Sequence, residues 1–266
     1  MQVGEFIGHS QGENMRILIT GAGGAAAISV WKSLGQDHEI YMADIDPCAA
    51  GLYLLPAERR LIILPGDAEG FVSSLLTRCK KNSIELLIPT VDIELLPISM
   101  HQNEFESNGI KVALTSFESL SICHDKYQLL NFCKDTGLTP ECTLLTKDAA
   151  SNSFNYPCFA KPRVGAGSRG AMIIHNQKEL EMLPKDGSYL VQELLSGDEY
   201  SVDVYVHSKG CPLAAVPRLR MKIDSGIEVG DKTKMHPELM NIALTISQKI
   251  GLTYVANIQF KANANG

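Results

Sequence analysis

Between residues 16 and 114, short apolar runs alternate with segments whose apolar residues recur at helical spacing, and nothing else in the chain limits its fold as much. Residues 16–20, 39–43, 61–64, 84–88 and 111–114 have strand length and strand composition. Residues 25–34 read as a helix, and Phe71, Leu75, Leu76 and Cys79 share one helical face. This β-α-β-α order predicts an α/β unit with a parallel, doubly wound sheet over residues 15–114. Residues 1–14 are polar and glycine-rich, without the apolar stretch of a secretory signal, and are expected to form a loose tail.

A second regime begins near Thr115. Two short helices are expected at 117–123 and 125–136, the latter closed by Gly137 and followed by Pro140. Strands at 158–161 and 171–174 then flank a glycine-rich stretch, and a helix at 177–183 leads into a strand at 189–192. From Gly197 onwards the pattern is mainly strands, at 200–206 and 211–216. It ends in a helix at 237–250, with Pro237 suited to its first turn and Gly251 to its stop, and a strand at 254–261. The expected boundaries are thus 15–114, 115–196 and 197–266.

Composition narrows the function classes. The 266 residues carry 24 basic and 30 acidic side chains, a formal charge of −6, so a phosphate-neutralising nucleic-acid surface is not expected. No apolar run has the length to span a bilayer. The seven cysteines are scattered without a C-x-x-C pair, which argues against a disulfide framework or zinc site and for a reducing, cytoplasmic setting.

Two glycine-rich stretches invite chemistry. Gly21-Ala-Gly-Gly24 follows a strand and opens a helix, with Asp44 at the end of the next strand. This is either a dinucleotide-binding turn, as in an NAD-dependent oxidoreductase, or simply a tight strand-to-helix connection, because Ala26 stands where the third glycine would be. The second stretch is Phe159-Ala-Lys-Pro-Arg-Val-Gly-Ala-Gly-Ser-Arg-Gly170. It places Lys161 at a strand end before a hairpin of Gly165, Gly167, Ser168, Arg169 and Gly170, whose backbone N–H groups can approach a polyphosphate closely. His124-Asp-Lys126 opens the preceding helix and adds a second lysine. Downstream, Gln192-Glu-Leu-Leu-Ser-Gly-Asp-Glu199 connects two strands, and an exposed backbone there can pair with adenine.

In this order the three elements resemble the ATP-grasp superfamily, in particular proteins similar to the carbamoyl-phosphate synthase large subunit. The resemblance implies a Rossmann-like pre-ATP-grasp sheet followed by ATP-grasp α+β subdomains, with ATP and Mg²⁺ or Mn²⁺ as cofactors. It implies an ATP-dependent ligase that couples small carboxylate and amine substrates through an acyl phosphate; a homodimer is compatible with it. Lys126 and Lys161 would meet the phosphates, Glu193, Leu194 and Leu195 the adenine, and Glu199 the ribose. Gln259, in Asn257-Ile-Gln-Phe260, occupies a metal-ligand position. Thr90, Asp92 and Glu94, in a segment similar to the family's Ile-Pro-x-x-Asp-x-Glu-Leu, are substrate candidates or simply acids at a helix start. Arg218 and Arg220 are carboxylate-binding candidates or an exposed strand face.

One departure is expected to matter. The family's metal strand is followed by a return strand carrying Glu-x-Asn-Pro-Arg, whereas here the sequence stops at Asn265-Gly266. The expectation is a truncated or catalytically incomplete nucleotide-binding chain, unless a further carboxylate such as Asp203 or Glu228 completes the metal site.

Overall fold

The computed structural model describes residues 14–149, 154–165, 168–224 and 227–262, with 222–229 described by backbone alone. The expected tail therefore lies outside the described residues except for Asn14, as do Gly167 and the Asn265-Gly266 turn signal. The chain divides into two compact units, one ending at Phe117 and the other beginning at Glu118.

The first unit is built on a five-stranded parallel sheet in the order β3-β2-β1-β4-β5. Its strands are β1 (Arg16–Thr20), β2 (Glu39–Asp44), β3 (Arg60–Ile62), β4 (Leu86–Ile88) and β5 (Lys111–Val112). Ile17, Leu18 and Ile19 are all within 1% of full burial, so β1 is covered on both faces. A central parallel strand requires this, and it explains the unbroken apolar run. Helices α1 (Ala25–Leu34) and α2 (Phe71–Lys81) fall where the periodicity places them; Phe71, Leu75, Leu76 and Cys79 are the buried residues of α2. Helix α3 (Asp92–Met100) begins where the acids Asp92 and Glu94 suggest a helix start, whereas α4 (Gln102–Ser107) was not anticipated. Pro97 sits inside α3 and breaks the pattern by which a helix is recognised.

The second unit opens with α5 (Phe117–His124) and α6 (Lys126–Phe132). The expected second helix is shorter than its periodicity implied. A 3₁₀ turn, Lys134–Thr136, replaces its end and stops at Gly137 with a φ of 69°. A four-stranded antiparallel sheet follows in the order β6-β9-β7-β8, from β6 (Cys142–Thr146), β7 (Cys158–Pro162), β8 (Met172–Ile174) and β9 (Asp186–Glu193), with α7 (Gln177–Glu181) packed on it. A second antiparallel sheet runs β12-β11-β10-β13, from β10 (Glu199–Val206), β11 (Pro212–Asp224), β12 (Ile227–Thr233) and β13 (Tyr254–Lys261).

Helix α8 (Pro237–Ile250) covers one face of this last sheet. Leu239 and Ala243 pack against Tyr200, Val202, Val204 and Val206. The His236 ring accepts from the Leu239 amide at 3.3 Å, and Gly251, at φ 76°, ends the helix. Because side chains alternate along a strand, this apolar packing turns the other residues of β10, β11 and β13 to the opposite face. That face is polar.

Candidate functional site

In the first unit, the Gly21–Gly24 turn does not present its amides to an anion. The Ala22 amide donates to Ala43 O at 3.1 Å, Gly24 to Gly21 O at 2.8 Å, and Gly23 to the Asp44 carboxylate at 2.8 Å. Asp44 also accepts from the Asp46 amide at 3.0 Å. The acid expected on a ribose thus holds the turn itself together. Gly21 is required sterically, since its φ is +69° and a Cβ there would lie 2.5 Å from Val91 Cγ2. The arrangement is a tight connection and does not support NAD binding.

Thr90, Asp92 and Glu94 occupy three different environments. Thr90 Oγ1 donates to Thr20 O at 2.8 Å, and Asp92 is exposed at the first position of α3. Glu94 is buried at 3% exposure, and its Oε2 has no hydrogen-bond partner. Burial pushes the Glu94 carboxyl above its ordinary range, the Asp44 charge adds to this, and a hydrogen bond from Thr20 opposes it.

The second unit gathers the nucleotide candidates. Asp125 caps α6 through hydrogen bonds from the Tyr127 and Gln128 amides, and so places Lys126 at the first position of the helix. Lys126 Nζ donates to Gly165 O at 2.6 Å, at the onset of the glycine loop. Lys161 lies on β7 and is half-buried. Burial, and then the Lys126 charge, push its pKa below the ordinary lysine value. No hydrogen bond or ion pair to Lys161 occurs among the described residues. Lys161 thus lies near a second cation, Lys126, without a counter-charge among the described residues.

The described ends of the loop have backbone conformations that favour glycine. Gly165 and Gly170 have φ values of 129° and 72°, and a Cβ on Gly170 would lie 2.8 Å from the Tyr189 hydroxyl. Ser168 adopts a left-handed backbone at φ 55°, and both Ser168 and Arg169 are exposed.

Register shows what lies beside Lys161. On β7 and β9, Ala160 opposes Val191 and both belong to the buried core, so Lys161, opposite Leu190, faces the other way. Gln192 opposes Phe159 on β7 and Cys142 on β6, which puts it on the Lys161 face. The Gln192 Oε1 is buried with no hydrogen-bond partner. The sequence reading missed this residue. A polar side chain on a strand between Val191 and Glu193 was the one available signal. Glu193, by contrast, accepts from the Glu141 amide at 3.1 Å through Oε1 and pins the strand edge. Leu194 and Leu195 lie in the connector from β9 to β10 and are partly exposed.

The polar face of the last sheet carries Glu199, Ser201, Asp203, Arg218, Arg220, Asn257 and Gln259 in adjacent registers. Arg220 pairs with Glu199, and Arg218 pairs with both Asp203 and Asp231. Asp203 also accepts from Asn257 Nδ2 at 2.6 Å. The reading of the two arginines as carboxylate binders therefore meets an internal competitor: each guanidinium is already held by acids of its own sheet.

Gln259 is exposed opposite the buried Ser201. No group of three or more His, Cys, Asp or Glu able to hold a metal occurs among the described residues. Gln259 is neutral and Asp203 is engaged by Arg218, while the Glu228 side chain is not described. The described donors therefore do not make up a Mg²⁺ site, which at phosphates calls for carboxylate ligation.

The fold defined by these sheets is the ATP-grasp fold. Residues 185–266 match the family described as "ATP-grasp in the biosynthetic pathway with Ter operon", and residues 17–113 match "PylC-like, N-terminal domain". Among curated relatives, a D-alanine–D-alanine ligase of Thermotoga petrophila is 30% identical over 119 residues, covering 43% of this chain and 39% of the relative. The carbamoyl phosphate synthase arginine-specific large chain of Bacillus subtilis is 24% identical over 176 residues, 58% of this chain and 17% of that one. The chain thus spans well under half the length of these two relatives. Among solved structures, the N5-carboxyaminoimidazole ribonucleotide synthetase of Thermotoga maritima superposes with a TM-score of 0.66 at 18% identity, covering 95% of this chain and 66% of that one. The biotin carboxylase domain of the Hydrogenobacter thermophilus 2-oxoglutarate carboxylase, described as a dimer in complex with MgADP, ADP and bicarbonate, gives 0.69 at 16% identity, covering 96% and 62%. These relatives and neighbours are named as ligases, synthetases and carboxylases. Among the described residues, no helix is long and apolar enough to cross a membrane.

Proposed function

We propose that the second unit binds ATP and that the chain serves an ATP-dependent ligase joining a carboxylate to an amine through an acyl phosphate. The observation that carries this reading is the Lys126–Lys161 pair at the root of the glycine loop. Burial and the Lys126 charge disfavour the charged form of Lys161, and the negative charge of a polyphosphate would offset both. The loop from Gly165 to Gly170 supplies backbone donors, and Gln192 Oε1 supplies a buried acceptor for the exocyclic amine of adenine. Glu199, fixed by Arg220, would accept from a ribose hydroxyl. Thr90, Asp92 and the carboxyl of Glu94 remain the substrate-side candidates of the first unit. The residues of this chain orient the nucleotide and neutralise phosphoryl charge, which is the larger part of what such a transfer needs from a protein. No step is assigned to a metal, because the described donors do not hold one.

Calorimetric titration with ATP tests the reading. Losing one charged hydrogen-bond partner costs about 1.5–3 kcal/mol, so Lys161→Ala should weaken ATP binding by about tenfold or more. Equal affinities in wild type and variant would refute the assignment. A thermal shift with NAD and none with ATP would restore the oxidoreductase reading.

A further inference from the structure

Lys126 reaches Gly165 O from the start of α6, Lys161 lies near the end of β7, and among the described residues an ion pair and a backbone hydrogen bond tie these two ends. Asp125 Oδ1 accepts from the Tyr127 amide at 3.0 Å and from the Gln128 amide at 3.2 Å, so the carboxylate is held by its own helix. Its Oδ2 receives Arg163 Nε at 2.6 Å and a terminal guanidinium nitrogen, also at 2.6 Å. The backbone repeats the link one residue on: Lys126 N donates to Arg163 O at 3.0 Å, while Arg163 N donates to Ser188 O on β9 at 2.8 Å. The guanidinium also lies 5.9 Å from the centroid of the Tyr127 ring. Burial pushes the Asp125 carboxyl up, but the Arg163 hydrogen bond and the helix amides outweigh it and hold the group below its ordinary range.

We infer that Arg163 is a positioning residue for phosphate recognition. It acts through Asp125, holding Lys126 at Gly165 O and beside Lys161, and does not itself contact the phosphates. The inference rests on the nucleotide reading above. A planar guanidinium reaches one carboxylate oxygen through two nitrogens in a fixed geometry, which a lysine ammonium cannot reproduce. The Arg163 side chain is 33% exposed but that of Asp125 only 9%. Without the guanidinium the carboxylate keeps the Tyr127 and Gln128 amides and Gln128 Nε2, and circular dichroism of each variant reads whether the unit stays folded before titration. What it should lose is the registration of one cation against the other. The base and ribose contacts lie on β9 and β10, away from the α6 start, and should not change.

The test is calorimetry with adenosine, ADP and ATP on the full chain, comparing wild type, Arg163→Met, Arg163→Lys, Asp125→Asn and the Arg163→Met/Asp125→Asn double variant. Asn is as good a helix cap as Asp, so Asp125→Asn removes the ion pair and keeps the cap. We expect adenosine to bind each variant within about twofold of wild type and ATP to bind about tenfold more weakly. Arg163→Lys should fail to restore ATP affinity. The double variant should be no worse than either single one, as two halves of one device require. The inference is overturned if adenosine and ATP weaken together, which is a general structural effect. It is also overturned if ATP affinity is unchanged in Arg163→Met while Lys161→Ala loses it, an outcome that leaves the nucleotide reading standing. Wild type binding ATP no more tightly than adenosine would bring down both.

Discussion

Arg220 reaches across from β11 to a carboxylate oxygen of Glu199 on β10, and its side chain is only 5% exposed while that of Glu199 is 27% exposed. The register that sets Tyr200 opposite Leu219 puts the two residues on the polar face, one step further along.

This asymmetry in burial makes the pair directional. Glu199 can turn to water if its partner is lost, whereas Arg220 cannot. A hydrogen bond to a charged group contributes about 1.5–3 kcal/mol. Glu199→Ala, which leaves the deeper charge with fewer partners, should therefore destabilise more in urea unfolding than Arg220→Met, which leaves an acid free to meet water. Equal losses would mean that Arg220 draws its main compensation from elsewhere on the sheet.

The Lys161 ammonium has a pKa below the ordinary 10.5, through burial first and the Lys126 charge second. A bound polyphosphate favours the charged form, so nucleotide binding should draw in a proton at alkaline pH. ATP affinity should fall as the pH rises through the Lys161 pKa, which lies below that of an ordinary lysine. Titrations at pH 9 in two buffers of different ionisation enthalpy would read the uptake. Lys161→Arg should abolish it, because a guanidinium stays charged throughout. Uptake that survives in Lys161→Arg would place the titration on another group.

Glu94 offers a stability test independent of any ligand. Its carboxyl is raised in the folded state by burial, then by the Asp44 charge. In the unfolded chain it ionises near the ordinary 4.5, so the folded state then holds the extra proton. Its contribution is fully present below 4.5 and is lost as the pH rises through the folded value. Glu94→Gln, which cannot ionise, should raise the melting temperature at pH 7 and change little at pH 4. A variant that melts lower at pH 7 would show that the acid is held there by a partner specific to a carboxyl group.

Much of the architecture was visible in local patterning. Helices α1 and α8 and strand β13 have the bounds expected from periodicity, Pro237, Gly251 and the run 254–261. Strand β6 was missed, and β11 runs to Asp224, well past the expected 216. Arg218 to Asp224 is too polar to read as a strand by itself. It extends because β12 pairs with it, which residue composition does not encode.

The site divides along the same line. Lys126, Lys161 and the glycine loop stand out as candidates by residue type and order, because a helix cap, a strand end and a glycine hairpin each have local signatures. Arg218 and Arg220 read equally well as ligand-binding arginines until the antiparallel register set them against Asp203, Asp231 and Glu199. Gln192 drew meaning only from burial, on the Lys161 face of its sheet, and burial beside Thr20 set Glu94 apart from Thr90 and Asp92, with which its sequence grouped it. Propensity, capping and periodicity act within a few residues of the chain, and they settled the elements and the loop. Cross-strand register and burial join residues such as Glu199 and Arg220, 21 positions apart. Their energies depend on water excluded by the whole unit, so the charge pairing of the site emerges only once the sheets have formed.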